Sequence, residues 1–380
     1  MEFYLPTRDE CQDLVQESEV FYCSTRVVEG QTVEMMDYRL AGINDFFQGE
    51  SNWTELRGLT FVQLDDGTWE RNILMNKFFN IGQCPGWNVE DVKDKKITRI
   101  QNKEDGSIIS FVKFGGIGGK VRAKSKMSFE SEQAVMAQEL YDINDNIKNL
   151  VQWSFDNNIT LIWELCGPDN QIVLEYDFNK LVLLQARDNS TGEYINLTEI
   201  NTGSCHLVQE FTFSLEELLE MKETSQEDIE GWVVTFEDGQ MAKIKTTKYL
   251  LLHGLIGPDA FRENILIKTI LDGNIDDVIS SLVPGVKRDR ILDLTEKVDK
   301  HFNHLVVEFK ELRRKYFQDF QEIRKDFAIK HSRDRLFSYV MKTLNTSFRD
   351  VEKTAESSVK EYLLRECNSF GKARSYIEGL

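Results

Sequence analysis

The chain has 380 residues, of which 41% are hydrophobic and 29% charged, with 23 Gly and 5 Pro, a composition that excludes collagen-like, disulfide-scaffold and largely disordered proteins. The formal net charge is −18, but residues 251–380 carry 23 Lys and Arg against 21 Asp and Glu, so the acidity lies in residues 1–250. A nucleic-acid partner would therefore have to be bound by local basic clusters and not by the overall field.

The first residues, MEFYLPTRDECQ, have neither the basic start nor the apolar run of a secretory signal. No stretch approaches the roughly 20 apolar residues that a membrane helix needs. The six cysteines form no CxxC pair and lack the spacing of a zinc site or a disulfide framework. We therefore expect a cytoplasmic protein without a membrane segment.

Residues 20–250 are predicted to form antiparallel sheets. Runs of β-branched and aromatic residues alternate with turn signals, as where Phe61–Leu64 is followed by Asp-Asp-Gly. Two segments have helical spacing instead, residues 130–149 and residues 214–222, the second with Ser214 and Glu217 in a capping-box arrangement. We predict an α+β domain over residues 1–254.

The glycine-rich segment at residues 114–120 is not a Walker phosphate loop. Only three residues separate the glycines where four are needed, and Val121 follows the lysine in place of Ser or Thr. Because the segment lies between two strand-like runs, we predict a hairpin turn.

Residues 255–380 are predicted to form a second, all-helical domain. No proline follows Pro284, and apolar residues recur at spacings of three and four: Ile291, Leu294, Val298, Phe302, Leu305, Phe309, Leu312 and Tyr316.

A short segment, Lys103-Glu-Asp-Gly-Ser107, could carry chemistry because of the segments that accompany it. Alone, a K-x-D-G match indicates no more than an exposed turn. Its companions in chain order are Glu55-Leu-Arg-Gly58, Lys77-Phe-Phe-Asn80, Trp163-Glu-Leu165, Ile229-Glu-Gly-Trp232 and Lys243-Ile-Lys245.

In this order and spacing the segments resemble the covalent nucleotidyltransferases, the superfamily of polynucleotide ligases and mRNA capping enzymes. The similarity is closer still to the RNA ligase 1 family of T-even phages, which Lys124-Ser-Lys126 and Ser131-Glu-Gln-Ala134 also resemble. It covers roughly residues 20 to 280. The resemblance implies an antiparallel-sheet nucleotidyltransferase domain followed by the helical domain.

The resemblance implies that Lys103 attacks ATP to form lysyl-AMP, while Arg57 and Lys77 bind the pyrophosphate leaving group. The attacking lysine must be neutral, although a free lysine has a pKa of about 10.4. Lys243 and Lys245, two apart on one strand, point to the same face, so both can reach one phosphate and disfavour protonation of Lys103. The alternative for this pair is a solvated edge strand.

Two carboxylates, Glu164 and Glu230, resemble the family's acidic residues that face the ribose and the metal. Carboxylates beside a triphosphate require a hard cation between them, which indicates Mg²⁺. Asp276, with Asp277, resembles a further metal-binding pair, although carboxylates at a helix N-terminus have the same pattern. Asp276 and Glu230 are thus the predicted metal ligands.

Two tyrosines complete the predicted site. Tyr38 stands where the family has a nucleotide-contacting tyrosine, and Tyr249 where it has one that is important for joining. Packed core tyrosines would give the same pattern.

The function implied by the resemblance is that of an ATP-dependent RNA ligase, which joins a 5′-phosphate to a 3′-hydroxyl through lysyl-AMP and RNA-adenylate. Single-stranded RNA ends or nicked tRNA would be the partners of a monomer that repairs RNA, in the cytoplasm of an infected host cell if the chain is phage-encoded. One alternative is a catalytically silent RNA-end-binding protein on the same scaffold. Another is a DNA ligase or capping enzyme, which residues 255–380 disfavour because they lack the short strands of an OB-fold.

Basic clusters in the helical domain allow two interpretations. These clusters are Lys287-Arg288, Arg313-Arg-Lys315, and Arg333 with Arg335. They either contact the phosphates of a structured RNA or form the solvated faces of amphipathic helices.

Overall fold

The computed structural model describes residues 4–48, 51–115, 119–256, 260–347 and 350–380. The chain separates into two units. The first comprises Met1–Gln16, Phe21–Tyr38 and Ile43–Gly254, and the second comprises Glu17–Val20, Arg39–Gly42 and Leu255–Leu380. Two short segments from the first fifty residues thus belong to the second unit.

The strands of the described residues all belong to the first unit. In chain order they are β1 (Phe21–Val28), β2 (Gln31–Tyr38), β3 (Phe47–Gln48), β4 (Ser51–Asn52), β5 (Leu59–Gln63), β6 (Trp69–Asn72), β7 (Phe79–Asn80), β8 (Ile97–Lys103), β9 (Ser107–Phe114), β10 (Lys120–Lys124), β11 (Ile159–Cys166), β12 (Lys180–Asp188), β13 (Tyr194–Ile195), β14 (His206–Leu207), β15 (Glu210–Phe211), β16 (Gly231–Phe236) and β17 (Met241–Lys245).

The α-helices occur in both units. Those of the first unit are α1 (Arg8–Glu17, except for its last residue), α2 (Ile43–Phe46), α3 (Val89–Val92), α4 (Glu132–Ile143), α5 (Asp145–Asp156), α6 (Leu215–Thr224) and α7 (Thr247–Leu252). Those of the second unit are α8 (Glu263–Leu271), α9 (Ile275–Ser280), α10 (Val286–Gln318), α11 (Arg324–His331), α12 (Phe337–Lys342), α13 (Val351–Glu366) and α14 (Phe370–Glu378). Short 3₁₀ helices span Trp53–Glu55, Pro168–Asn170 and Leu197–Glu199.

The strands pair mainly antiparallel, as the alternation of apolar runs and turns predicts. Their orders are β1-β2-β5-β6, then β10-β9-β11-β12-β13 with β14 beside β12, then β15-β8-β16-β17-β7, and the ribbon β3-β4. β14 on β12 and β7 on β17 are parallel pairs. The predicted α+β class, with sheets before a helical region, is therefore confirmed.

Helices cover one face of each of two sheets in the first unit. Leu150 and Val151 of α5 pack with Trp163 of β11 in one core. Leu218 of α6 packs with Ile244 of β17 in another. Because alternate residues of a strand point to opposite faces, Lys243 and Lys245 extend from the face of the β17 sheet that is opposite Ile244 and α6.

The helical segment predicted at residues 130–149 is two helices, α4 and α5, and not one. Asn144 has extended backbone angles, and its side-chain oxygen accepts hydrogen bonds from the amides of Asn146 and Ile147 at 3.0 and 3.2 Å. The asparagine therefore begins a new helix where the apolar spacing alone suggested continuity. The second predicted segment is confirmed as α6, which Ser214 caps together with Glu217.

The predicted turn at residues 114–120 includes residues 116–118, which lie outside the described residues. On either side of them, β9 and β10 pair antiparallel with Lys120 opposite Phe114.

The regular elements of the second unit, among its described residues, are all helices, joined by loops. The apolar stripe predicted from Ile291 to Tyr316 lies on the 33-residue helix α10, and its members are buried. Arg39, in the segment Arg39–Gly42 of the second unit, is buried. Its guanidinium lies 2.9 Å from the carboxylate of Glu352 on α13. In the parts of the chain that the structure describes, no helix has both the length and the apolarity to cross a membrane.

Candidate active site

Three adjacent strands bring Lys103, Glu230 and Lys245 together. Gly231, the first residue of β16, pairs with Lys103 at the end of β8 and with Lys245 at the end of β17. Glu230 precedes Gly231, and its Oε1 lies 2.9 Å from Lys103 Nζ and 3.0 Å from Lys245 Nζ. The predicted nucleophile and one predicted phosphate-binding lysine thus share a buried carboxylate.

Gly231 permits this close approach of strands. Its φ is +151°, and a Cβ there would lie 2.0 Å from the carbonyl oxygen of Ile244. A side chain at this position would force β16 away from β17. The glycine therefore sets the spacing at which Glu230 reaches both lysines.

The charge of Glu230 depends on those lysines. Burial by itself would raise the pKa of this carboxyl, but the ammonium groups of Lys103 and Lys245 outweigh burial and lower it. Glu230 is therefore ionised near neutral pH and balances part of the positive charge of the site.

Glu164 is the second carboxylate of the site, on β11. Burial raises its pKa to about 8; Lys103 and Arg57 oppose this rise, and Glu230 adds to it. These interactions put Glu164 in the same electrostatic environment as the predicted nucleophile and the predicted pyrophosphate-binding arginine.

Lys243 and Lys77 both belong to the far edge of the same sheet, Lys243 on β17 and Lys77 just before β7. β7 pairs with β17 so that Asn80 lies opposite Lys243. The Lys243 ammonium is 5.9 Å from the centre of the Phe78 ring, and the Lys77 ammonium is 5.4 Å from that of Phe79. Aromatic faces therefore border both cations.

Tyr38 lies beside two lysines, of which the sequence assigned a role to only one. The ammonium groups of Lys77 and Lys126 are 5.9 and 5.3 Å from the centre of its ring. Lys126 Nζ also lies 2.7 Å from Asp37 Oδ2, and Asp37 is buried. The sequence did not predict the Lys126–Asp37 pair, although the Lys124-Ser-Lys126 segment resembles the family.

Tyr249 is buried and anchored by the segment that contains the predicted nucleophile. Its hydroxyl donates to Asp105 Oδ1 at 2.8 Å, and Asp105 Oδ2 accepts from the amides of Val173 and Leu174 at 2.9 and 2.7 Å. Asp105 thus ties the turn after Lys103 to α7 and to residues 173–174. The sequence predicted no structural role for Asp105, because a short polar residue in a turn is usually solvated.

Gly106 is required by close packing beside Glu164. A Cβ at residue 106 would lie 2.2 Å from the carbonyl oxygen of Leu165. The glycine of the K-x-D-G segment therefore lets the turn after Lys103 lie directly on β11.

Arg57 lies on a turn that a buried ion pair holds in place. Glu55 and Arg187 form a doubly hydrogen-bonded ion pair at 2.8 Å for both bonds, and Arg187 also donates to the carbonyl of Leu74. Arg57 donates its backbone amide to the Glu55 carbonyl at 2.7 Å. The Glu55–Arg187 pair was not predicted, since nothing in the local sequence links positions 132 residues apart.

Asp276 belongs to the second unit, in the first turn of α9 beside the buried Asp277. Glu230 belongs to the first unit. Across the described ranges, no cluster of three or more His, Cys, Asp and Glu side chains is arranged to hold a metal ion.

Most of the basic residues singled out in the helical region have partners within the second unit. Arg313 is buried and donates to the Thr346 carbonyl at 2.6 Å. Arg314 and Arg335 pair with Glu311 and Glu308. These contacts favour the interpretation that those clusters stabilise helix faces.

The fold and this site define a protein of the RNA ligase class. A model of the RNA ligase family of the T4 ligase 1 type matches residues 55–249, and the chain belongs to this family. The match contains Arg57, Lys77, Lys103, Glu164, Glu230, Lys243, Lys245 and Tyr249.

Individual relatives are more distant. A protein of Thermovibrio ammonificans named "Putative RNA ligase" is 27% identical over 249 residues, which are 62% of this chain and 63% of that protein. The chain thus matches less than two thirds of the length of this relative. An archaeal ATP-dependent RNA ligase structure is 11% identical with a TM-score of 0.47 and 79% of each chain covered. A Naegleria gruberi RNA ligase structure with AMP and Mn is 15% identical, with a TM-score of 0.38, over 67% of this chain and 86% of that one.

Proposed function

We propose that this chain is an ATP-dependent RNA ligase that joins an RNA 5′-phosphate to a 3′-hydroxyl. The observation that carries the proposal is the triad of Lys103, Glu230 and Lys245. It is held together because Gly231, next to Glu230, pairs with Lys103 on β8 and with Lys245 on β17. A partly buried lysine beside a second cation and a carboxylate suits nucleophilic attack on a phosphate.

In the first step, Lys103 Nζ attacks the α-phosphorus of ATP. The N–P bond forms while the bond to the pyrophosphate oxygen breaks, and Nζ loses a proton. Arg57 and Lys77 stabilise the charge on the departing pyrophosphate, while Lys243 and Lys245 stabilise the charge on the α-phosphate. Tyr38 contacts the nucleotide.

In the second step, the RNA 5′-phosphate attacks the phosphorus of lysyl-AMP, which forms RNA-adenylate and frees Lys103. In the third, the RNA 3′-hydroxyl attacks the 5′-phosphate of the RNA-adenylate, the phosphodiester bond forms, and AMP leaves. We propose that Tyr249, tied to Asp105, keeps the turn after Lys103 in the shape that these later steps need.

Mg²⁺ is the proposed metal. That cation usually takes one or two carboxylates together with substrate phosphates, and Glu164 and Glu230 provide such a donor set. When bound, it would neutralise phosphate charge and favour the ionised form of Glu164. Asp276 is a further proposed ligand.

We also propose that the helical unit selects the RNA, with single-stranded ends or a nicked tRNA as substrate for a monomer acting in RNA repair in the cytoplasm. Exposed cations at Arg324, Lys325, Lys330 and Arg333 could contact phosphates there.

Incubation with α-labelled ATP or GTP followed by denaturing electrophoresis tests the reaction. We expect covalent label from ATP with Mg²⁺, and none in Lys103→Ala. Label retained by that variant would exclude Lys103 as the nucleophile. Label from GTP alone would indicate a capping enzyme, absence of label in the folded protein would indicate a silent RNA-end-binding protein, and sealing of nicked DNA in preference to RNA would indicate a DNA ligase.

A further inference from the structure

Lys124, at the end of β10, is buried completely, and its ammonium has no role in the reaction as proposed above. Burial lowers its pKa to about 7, which Asp37 opposes and Lys126 reinforces. A buried ammonium is costly to desolvate, so its retention calls for strong compensating contacts.

Those contacts are three backbone carbonyl oxygens. Lys124 Nζ donates to the carbonyls of Gly58, Ser125 and Lys126 at 3.2, 3.3 and 3.0 Å. An ammonium has three N–H donors, so each donor has one acceptor. The acceptors come from two separate turns, one that follows Arg57 and one that contains Lys126.

The two turns are in direct contact at Gly58. This residue has φ of +76°, and a Cβ there would lie 2.7 Å from both the carbonyl oxygen of Lys126 and Leu74 Cδ1. The Gly58 amide also donates to the Met36 carbonyl on β2 at 2.9 Å. The carbonyl oxygens of Gly58 and Lys126 both accept from the Lys124 ammonium, whose positive charge offsets the repulsion between them.

Each turn carries a cation of the candidate site. Arg57 immediately precedes Gly58, and Lys126 reaches Asp37 and the Tyr38 ring. The positive charge of Arg57 opposes the rise in the pKa of Glu164 and in that of Lys126. Both side chains are therefore near Arg57, and the two turns border one site.

We propose that Lys124 is a positioning residue for ATP: by binding carbonyls of both turns, it holds Arg57 and Lys126 at the distance that the triphosphate requires. This inference rests on the proposed function. Lys124 acts through Arg57 and Lys126, so its loss should weaken the use of ATP and spare the step that needs no pyrophosphate contact.

The test compares Lys124→Met and Lys124→Gln with a matched control, Lys120→Met. Lys120 is on the same strand, but its side chain is 75% exposed and pairs with Glu29. Two reactions are measured in the full chain: lysyl-AMP formation as a function of ATP concentration, and sealing of chemically pre-adenylated RNA without ATP.

We expect the ATP concentration at half-maximal rate to rise by about tenfold or more in both Lys124 variants, as for the loss of a hydrogen bond to a charged group. Sealing of pre-adenylated RNA should stay within about twofold of the unmodified chain, and Lys120→Met should change neither reaction. In a background with both Arg57→Ala and Lys126→Ala, Lys124→Met should add little, because it acts through the two residues already removed.

An unchanged ATP dependence in the Lys124 variants would overturn the inference. So would an equal loss in both reactions, or failure of both variants to fold, since Lys124 would then have only a structural role. Absence of lysyl-AMP in the unmodified chain would instead contradict the proposed function, and with it this inference.

Discussion

At the scale of single residues, the candidate site is organised around the carboxylate of Glu230. Its Oε1 contacts two ammonium groups at 2.9 and 3.0 Å. A carboxylate between two lysines keeps them close together in spite of their repulsion. In the proposed reaction, the oxygens of the entering triphosphate take over this neutralising role.

The lysines of β17 provide the first prediction. Changing Lys243 or Lys245 to Ala should slow lysyl-AMP formation by about 100-fold, as for removal of one donor to a developing oxyanion. Single-turnover labelling with ATP measures the rate, and thermal unfolding checks the fold.

The stability of the two variants should differ. Lys243→Ala should change the free energy of unfolding by under about 0.5 kcal/mol, whereas Lys245→Ala should cost more, because buried Glu230 loses one of its two cations. Normal labelling in both variants would refute the proposed role of the pair.

Glu164 provides a prediction about pH. Its pKa is raised to about 8 by burial, while an unfolded glutamate titrates near 4.3. Between these values the folded state binds more protons than the unfolded state, so this group's contribution to stability falls as pH rises.

We therefore expect the melting temperature of the unmodified chain to fall more between pH 5 and pH 7 than that of the Glu164→Gln variant. The comparison is between two melting curves measured in the same buffers without metal, so that other titrating groups cancel. An equal or larger loss in the variant would show that the Glu164 pKa is not raised.

At the scale of elements, local capping decides where the helices of the first unit begin. Asn144 separates α4 from α5, and its side chain accepts two backbone amides of α5. The apolar spacing of residues 130–149 does not reveal this break, because both helices place apolar residues toward one core.

Asn144→Ala should lower the free energy of unfolding by about 1 kcal/mol, the usual effect of losing an N-cap. Chemical denaturation measures the change. Gln152→Ala, an exposed position on the same helix, is the control and should have little effect. A loss of stability in the control as large as that in Asn144→Ala would show that the lost N-cap is not the cause.

The hairpin of β16 and β17 could be predicted from its sequence, whereas its neighbours could not. The alternation that predicts Lys243 and Lys245 on one face is local, and both residues lie on β17 of this hairpin. Pairing of β16 with β8 joins residues more than 120 apart. Such pairing depends on packing of the whole sheet, which no short window of sequence contains.

At the scale of the whole molecule, the proposed RNA contacts rest on exposed cations around α11, of which the sequence singled out only Arg333. Arg313 is buried and Arg314 is paired with Glu311. Lys325 and Arg333, around α11, are exposed.

Changing both Lys325 and Arg333 to Ala should weaken binding to a nicked stem-loop RNA. The slope of log binding constant against log salt concentration should fall by about 1 for each phosphate that the variant no longer binds. Arg314→Ala is the matched control, since its cation is already paired, and it should leave the slope unchanged. An unchanged slope in the double variant would leave these residues without a role in RNA binding.

The sequence alone determined the class of fold, the helical character of residues after 255 and the order of the segments that mark an RNA ligase. These features are local, because strand alternation, helical periodicity and short motifs all lie within a few residues. The proposed nucleophile, its partner lysines and the two glutamates are predictions of the same local kind.

Only the tertiary structure decided which of these residues meet and what supports them. Glu230 between two lysines, Asp105 on Tyr249 and Lys124 between two turns all join positions that are far apart in the chain or fixed by close backbone contact. Arg39 is the clearest case, since it follows β2 in sequence but pairs with Glu352 in the helical unit. A buried charge needs a partner, and tertiary packing decides which residue lies close enough to provide it. The spacing of residues in the sequence does not contain this information.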